Sequence, residues 1–303
     1  MIDVIGDIHG YADKLTALLL KLGYSKQRGV YAHPERTVLF VGDYIDRGPK
    51  IRETLQIVRR MVENGQAIAL MGNHEYNALC FHFQESEGGH LRKHLIKNIL
   101  QHHATLKQFQ NRQEEYEDYL DWFKSLPLYY ETDRFRAVHA CWDVHHIETL
   151  RNVLPNDCLT DELIYLSVKK GTAFHLAVDE TLKGKEVFLP EGFHYQDKEG
   201  TDRSAIRIKW WENPDRATYK HHSVVSTENL PEAPIDPAML NSSWHYDDSE
   251  KPVFFGHYWL SGTPMLFRHN VCCLDYSVAK DGPLVAYRFD GELQLDASKF
   301  VMV

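Results

Sequence analysis

Five times along this chain a short apolar run ends in residues of the kind that bind metal ions. Asp3-Val4-Ile5 leads into Gly6-Asp7-Ile8-His9, and Thr37 to Val41 leads into Gly42-Asp43, with Asp46-Arg47 just beyond. Ala67 to Met71 leads into Gly72-Asn73-His74-Glu75, Phe135 to Val138 into His139-Ala140, and Val253-Phe254-Phe255 into Gly256-His257. Each junction alone is a weak signal, because Gly-Asp and Gly-Asn are ordinary turn pairs. In a chain with 18 histidines a single His is ordinarily a surface or satisfied core residue, and the pairs His102-His103, His145-His146 and His221-His222 are read that way. Five successive apolar runs ending alike form a much narrower constraint on the fold.

Amphipathic patterns separate the first three runs. Leu15, Leu18, Leu19 and Leu22 fall at helical spacing before Gly23, and Ile51, Leu55, Val58 and Met61 do so before Asn64-Gly65. Short apolar runs alternating with such helices predict a buried, mostly parallel sheet, and in such sheets ligands collect at the carboxyl ends of the strands. Residues 90–124 read as polar helix, and 126–130 and 135–138 as two strands joined at Glu131-Thr132-Asp133. Asp161 to Lys170 and Thr172 to Lys183 read as helices. Strand pattern resumes near Pro252 and runs through Val271 to Leu274 and Leu284 to Phe289. The expectation is therefore one α/β domain over residues 1–303, with residues 143–250 a cap or lid inserted within it.

Carboxylate, imidazole and amide oxygen form a ligand set for Mn²⁺, Fe²⁺ or Zn²⁺. Two metals about 3.5–4 Å apart need a bridging carboxylate, and Asp43 is the natural bridge. Two divalent ions balanced by two aspartates and one hydroxide leave a positive site that matches an incoming phosphate. The formal net charge of −9 argues against a stable nucleic-acid partner, which ordinarily leaves a basic footprint. No stretch reaches the length of a membrane span, and no basic leader precedes the first run. The five cysteines have no framework spacing, and adjacent Cys272 and Cys273 on one strand would face opposite ways as buried thiols. A reduced, cytoplasmic protein is expected.

Taken together, Gly6-Asp7-Ile8-His9-Gly10, Gly42-Asp43-Tyr44-Ile45-Asp46-Arg47-Gly48, Gly72-Asn73-His74-Glu75, His139-Ala140 and Gly256-His257 resemble the motif series of the calcineurin-like metallophosphoesterases. Within that family they resemble the phosphoprotein phosphatase branch, which includes bacterial and phage protein phosphatases and bacterial dinucleoside tetraphosphate hydrolases. The resemblance implies a sandwich of two mixed β-sheets flanked by helices, and two divalent ions, with Mn²⁺ expected and Fe or Zn compatible. It implies Asp7 and His9 on the first metal, Asp43 bridging, and Asn73, His139 and His257 on the second. A metal-bridging hydroxide would attack phosphorus. His74 would protonate the leaving oxygen, oriented by Asp46, and Arg47 would hold the phosphoryl oxygens. A planar guanidinium suits phosphate, and an imidazole on a carboxylate keeps one tautomer. Nuclease and cyclic-nucleotide relatives usually close with Gly-His-x-His. Here the segment is Gly256-His257-Tyr258-Trp259, which favours the phosphatase-like branch.

Two departures concern the phosphate grip. Met71 stands where the family pattern has Arg before Gly-Asn-His-Glu, and Cys141 follows His139-Ala140. Arg207, Lys209 and Arg216, around the Trp210-Trp211 pair, are the candidate replacement cations, and the Trp pair itself reads as packing. The leading expectation is a phosphatase acting on phosphoprotein or small-molecule monoesters. The alternative is a dinucleoside polyphosphate hydrolase, supported by the likeness of Gly6 to Gly48 to the tetraphosphate hydrolases. An inactive metal-binding adaptor would have lost a ligand or the acid, and every such position is present.

Overall fold

Val4 and Ile5 are adjacent on the first strand, yet they bury into different cores, and this alternation organises the molecule. The computed structural model describes all residues except 86–87, 197–201, 216, 225–229 and 241–244. Two mixed sheets stack face to face. The first has the order β15 (Phe300–Met302), β14 (Val285–Phe289), β1 (Ile2–Ile5), β4 (Thr37–Phe40), β5 (Ala67–Ala69). The second has the order β13 (Val271–Cys273), β12 (Val253–Phe255), β7 (Arg136–Val138), β6 (Tyr129–Glu131). Strands β1, β4 and β5 are parallel, with Val4 beside Leu39 and Phe40 beside Ala69. Strands β7, β12 and β13 are parallel as well.

Between the sheets lie Val4, Leu39 and Tyr287 from one and Ala137, Phe254 and Cys272 from the other. The rings of Phe254 and Tyr287 have centroids 5.2 Å apart, and those of Phe135 and Phe289 5.1 Å. The outer faces carry Ile5, Val38 and Phe40, and Val253, Phe255 and Cys273, all in the principal core with the helices. Cys272 and Cys273 thus face opposite ways, as the sequence predicts, and all five cysteines are free thiols. Helix α1 (Ala12–Lys21) buries Leu15, Leu18 and Leu19, and α2 (Ile51–Glu63) buries Ile51, Leu55, Val58 and Met61, the predicted stripes.

The sheets are mixed rather than mostly parallel because the chain returns from the second sheet to the first. There β14 lies antiparallel on the free edge of β1, and β15 antiparallel on β14. The hairpin of β2 (Ser25–Gln27) and β3 (Val30–Ala32) also goes beyond the sequence reading. Its two-residue turn has Arg28 and Gly29 at φ 51° and 89°, both left-handed.

Helices α3 (Asn73–His82), α4 (Ile96–Phe109) and α5 (Gln113–Lys124) follow β5. In residues 143–250, α6 (Val144–Val153), α7 (Asp161–Ser167) and α8 (Ala173–Lys183) give Leu150, Ile164, Val178 and Leu182 to the principal core. The ribbons β8 (Glu186–Phe188) with β11 (Ala205–Arg207) and β9 (Tyr195–Gln196) with β10 (Asp202–Arg203), and helix α9 (Tyr219–His222), belong to a part with its own small core. That core holds Val187, Ile206, Ile208, Tyr219, Leu230 and Ile235. Trp210 and Trp211 are buried in the principal core, Trp211 stacked on Phe267 at 4.6 Å, which is the predicted packing role. Among the described residues no helix is long and apolar enough to cross a membrane.

Candidate metal centre

The loops after β1, β4, β5, β7 and β12 meet at one end of the sandwich, and their glycines are there for space. A Cβ on Gly256 would stand 1.9 Å from Asp7 Oδ1, and one on Gly72 would stand 2.2 Å from Asp43 Oδ1. The carboxylates sit where any side chain at these two positions would be. His9, Asp43, Asp46, His257 and Trp259 all have left-handed backbone, with φ of 49°, 57°, 83°, 73° and 52°. Such conformations cost about 1–3 kcal/mol each and cluster at functional sites. Glu75 helps to hold them. Its fully buried carboxylate accepts hydrogen bonds from the amides of Asp43 (2.9 Å), Tyr44 (2.8 Å) and Gly72 (3.0 Å), tying the β4 loop to the start of α3. Burial, and then the Asp43 charge, push its pKa up to about 7.

Asp43 stands between two groups of ligand atoms. On one side His9 Nε2 lies 3.7 Å and His74 Nε2 3.9 Å from Asp43 Oδ2. On the other, His139 Nε2 lies 3.5 Å from the same oxygen and 3.0 Å from Asn73 Oδ1, while His257 Nδ1 lies 2.7 Å from Asn73 Oδ1. Asp7 accepts the His257 amide at 3.0 Å. Its pKa is raised well above the usual carboxylate range by burial, then by Asp275, then by Asp43. The structure therefore brings together Asp7, His9, Asp43, Asn73, His139 and His257, every ligand position named from the sequence.

The donor chemistry fits divalent cations. His9 Nδ1 donates to the Ile45 carbonyl at 2.9 Å, which leaves Nε2 with a lone pair, buried and without a hydrogen-bond partner. His139 Nδ1 likewise donates to the Val41 carbonyl at 2.9 Å, so its Nε2 lone pair faces the acceptor oxygens of Asn73 and Asp43. An outer N–H on a carbonyl and an inner lone pair is how metal-ligating histidines are held. Acceptors crowded together in a dry, acidic pocket are satisfied by a cation between them.

His74 Nδ1 is 2.7 Å from Asp46 Oδ2, the pairing expected of an oriented proton donor. Asp46 is held well below the usual carboxylate range. Burial opposes this, and the His102 imidazole, 2.6 Å from Oδ1, is the largest influence favouring it. The Arg47 guanidinium lies over the Trp259 ring, 4.9 Å from its centroid. Arg207, on β11, donates from Nε to the Lys183 carbonyl at 3.1 Å. After burial, its charge is the strongest influence depressing the His257 pKa. Lys209 instead reaches the His221 carbonyl at 2.8 Å, at the surface. Arg216 lies outside the described residues. Met71 is fully buried in the principal core, and Cys141 is buried with its pKa raised well above the thiol range by burial.

Three contributors escaped the sequence reading. His102 and Thr105 lie on the buried face of α4 with Phe109, and Trp259 is two residues beyond His257. The spacing 102, 105, 109 was a legible helical stripe, but with polar residues on it. A second buried group, Asp143, His146 and Glu180, has the composition of a metal site. It already holds a positive charge, because Lys185 Nζ lies 2.5 Å from Asp143 Oδ2 and 3.9 Å from Glu180 Oε2.

Residues 1–258 match the calcineurin-like phosphoesterase family. Among curated relatives, the asymmetrical bis(5'-nucleosyl)-tetraphosphatase PrpE of Oceanobacillus iheyensis is 33% identical over 141 residues, 46% of this chain and 54% of that protein. The PrpE of Halalkalibacterium halodurans is 48% identical over 73 residues, 24% of this chain and 30% of that protein. The symmetrical bis(5'-nucleosyl)-tetraphosphatase of Neisseria meningitidis is 37% identical over 136 residues, 45% of this chain and 41% of that protein. The matched stretches thus span less than two thirds of each relative. A protein serine/threonine phosphatase from Saccharomyces cerevisiae shares the fold, with a TM-score of 0.54 and 14% identity over 100% of this chain and 78% of that one. By the match over residues 1–258, and with the sandwich and the five converging loops in place, the chain belongs to the calcineurin-like phosphoesterase family.

Proposed function

We propose that this protein is a metal-dependent phosphatase of phosphate monoesters, on proteins or small molecules. Asp7, His9, Asp43, Asn73, His139 and His257 would hold two divalent cations, with Mn²⁺ the expected ion. The observation that carries the reading is Asp43, whose one carboxylate oxygen lies 3.7 Å from His9 Nε2, 3.5 Å from His139 Nε2 and 3.9 Å from Nε2 of His74. When bound, the cations supply Lewis acidity toward the phosphoryl oxygens and an acidified water. The chain does the rest. Arg47 binds phosphoryl oxygens through its planar fork, and Arg207 adds positive charge on the His257 side, in place of the arginine that Met71 lacks. His74, held by Asp46 through Nδ1, keeps Nε2 toward the centre and delivers a proton to the leaving oxygen. Residues 143–250 form a cap within a single domain over 1–303, and the small core around Ile206 is the part of that cap which sets what substrate enters.

A second reading is hydrolysis of a dinucleoside polyphosphate. It is supported by the tetraphosphatase relatives and by Trp259, a partly exposed indole beside the phosphate-binding guanidinium that offers a face for a base. Purified protein with Mn²⁺, assayed in parallel on p-nitrophenyl phosphate, a phosphopeptide and diadenosine tetraphosphate, separates the two. Turnover of the first two at rates well above the third supports the phosphatase, and the reverse order supports the nucleotide enzyme. Asp43→Asn and His74→Asn should lose most activity while staying folded. Unchanged turnover in both would sink the site.

A further inference from the structure

Asp46 carries more than the histidine it orients. Its Oδ2 takes His74 at 2.7 Å, whereas Oδ1 accepts from His102 Nδ1 at 2.6 Å and from the Thr105 hydroxyl at 2.7 Å. The Asp46 amide in turn donates to Thr105 Oγ1 at 3.1 Å. His102 and Thr105 are three residues apart on one face of α4, so a single helix grips both the backbone and the carboxylate of this left-handed residue. Beyond His102 the chain of bonds continues. Its Nε2 is 2.7 Å from the hydroxyl of Tyr116, on α5. A carboxylate can only accept, so His102 carries a proton on Nδ1 there, and its other nitrogen meets the phenol. All members of the series His74, Asp46, His102 and Tyr116 are buried.

We propose that His102, anchored by Tyr116, is a positioning residue for proton delivery. It fixes the plane of the Asp46 carboxylate, so that Oδ2 keeps His74 aimed at the leaving oxygen. The alternative is a satisfied core histidine that merely fills space between α4 and α5. The two differ in geometry. A space-filling ring needs no particular partner at Nδ1, whereas here Nδ1 meets the one carboxylate that orients the proton donor. The inference rests on the phosphatase reading above, and the experiment distinguishes the two failures.

The discriminating readout is sensitivity to the leaving group. A phosphate ester with a poor leaving group needs its oxygen protonated, and one with a very good leaving group does not. Wild type, His74→Asn, His102→Asn, His102→Gln and Tyr116→Phe are each assayed with Mn²⁺ on phenyl phosphate and 2,4-dinitrophenyl phosphate, with folding followed by circular dichroism. Asn presents an amide N–H near the position of Nδ1, and Gln presents one near Nε2. His102→Gln should therefore lose about tenfold in kcat on phenyl phosphate and under about twofold on the dinitrophenyl ester, a fraction of the roughly 10²-fold or greater contribution of a general acid. His102→Asn should stay within about threefold of wild type on both, and Tyr116→Phe should fall between. If His74→Asn shows the leaving-group effect but His102→Gln slows both esters equally or neither, His102 is packing only and the inference is overturned. A wild type that hydrolyses neither ester overturns the phosphatase reading itself.

Discussion

The Arg47 guanidinium lies 4.9 Å from the centre of the Trp259 ring, and Lys280 Nζ lies 5.1 Å from that same ring. Trp259 occupies the place where nuclease-type relatives are expected to carry a second metal-binding histidine. In this chain that position packs instead against Arg47, the guanidinium proposed to grip phosphate. Its amide is held by Asp275 Oδ2 at 2.6 Å, so the strained backbone at φ 52° presents the indole toward Arg47. A cation–π contact of this kind contributes about 0.5–2 kcal/mol. Trp259→Ala should therefore raise KM for p-nitrophenyl phosphate by roughly 2- to 30-fold with a smaller change in kcat, and Trp259→Phe should recover part of the loss. Steady-state kinetics at saturating Mn²⁺ checks both.

Gly256→Ala would put a methyl group where Asp7 Oδ1 now stands, 1.9 Å away, and Gly72→Ala would do the same to Asp43 Oδ1 at 2.2 Å. Each carboxylate accepts a backbone amide, from His257 and His74 respectively, and moving it would lose that bond. The expected result for either variant is a folded protein that retains less than one equivalent of tightly bound Mn²⁺ after gel filtration, measured by metal analysis, with activity lost in parallel.

The centre was far more legible than the fold around it. Asp7, Asp43, Asn73, His139 and His257 each end an apolar run, so strand geometry delivers them to one edge and the sequence alone places them. The helical stripe of His102, Thr105 and Phe109 was legible, but the partner of His102 was not, because Asp46 lies 56 residues away in sequence. Strand β14 did not fit a mostly parallel picture for a related reason. Pairing direction is set by where the chain returns, and Val285 to Phe289 reads the same in either direction. Arg207 and Lys209 are two residues apart and chemically alike, yet Arg207 donates to the Lys183 carbonyl, while Lys209 extends to the His221 carbonyl.

The buried pair of Asp143 and Lys185 makes a prediction about pH. Burial opposes ionisation of Asp143, but Lys185 Nζ at 2.5 Å and the His145 amide at 2.9 Å hold its pKa below the ordinary value. A carboxylate with a depressed folded-state pKa contributes stability above its unfolded pKa of about 3.9, and the contribution is lost as pH falls through that value toward the folded one. Asp143→Asn keeps the cap on α6, since Asn caps a helix as well as Asp, but leaves the Lys185 ammonium short of its nearest counter-charge. Breaking a buried pair on one side costs about 3–5 kcal/mol. The variant should be less stable than wild type by that order at pH 7 in urea. The difference should shrink as pH is lowered from about 4, and a constant difference down to pH 3 would rule out the pair as its source.

Glu75 offers the sharpest test of how the ligands are held, because it touches no proposed metal position directly. Its two oxygens take three amides from two loops, including the amide of Asp43 itself, whose backbone is left-handed at φ 57°. Glu75→Gln preserves size but turns one acceptor oxygen into a donor that would face an N–H group. At least one amide of the β4 loop, that of Tyr44 or that of Asp43, then loses its acceptor, which loosens the position of Asp43. Partners at this remove from a metal are worth about 10–100-fold in affinity. Titration calorimetry with Mn²⁺ should show weakening of that order for Glu75→Gln, with activity restored toward wild type as Mn²⁺ is raised. Asp43→Asn, which removes the shared ligand itself, should not be restored at any Mn²⁺ concentration. Equal rescue of the two variants would mean that Asp43 is held in place by something other than Glu75.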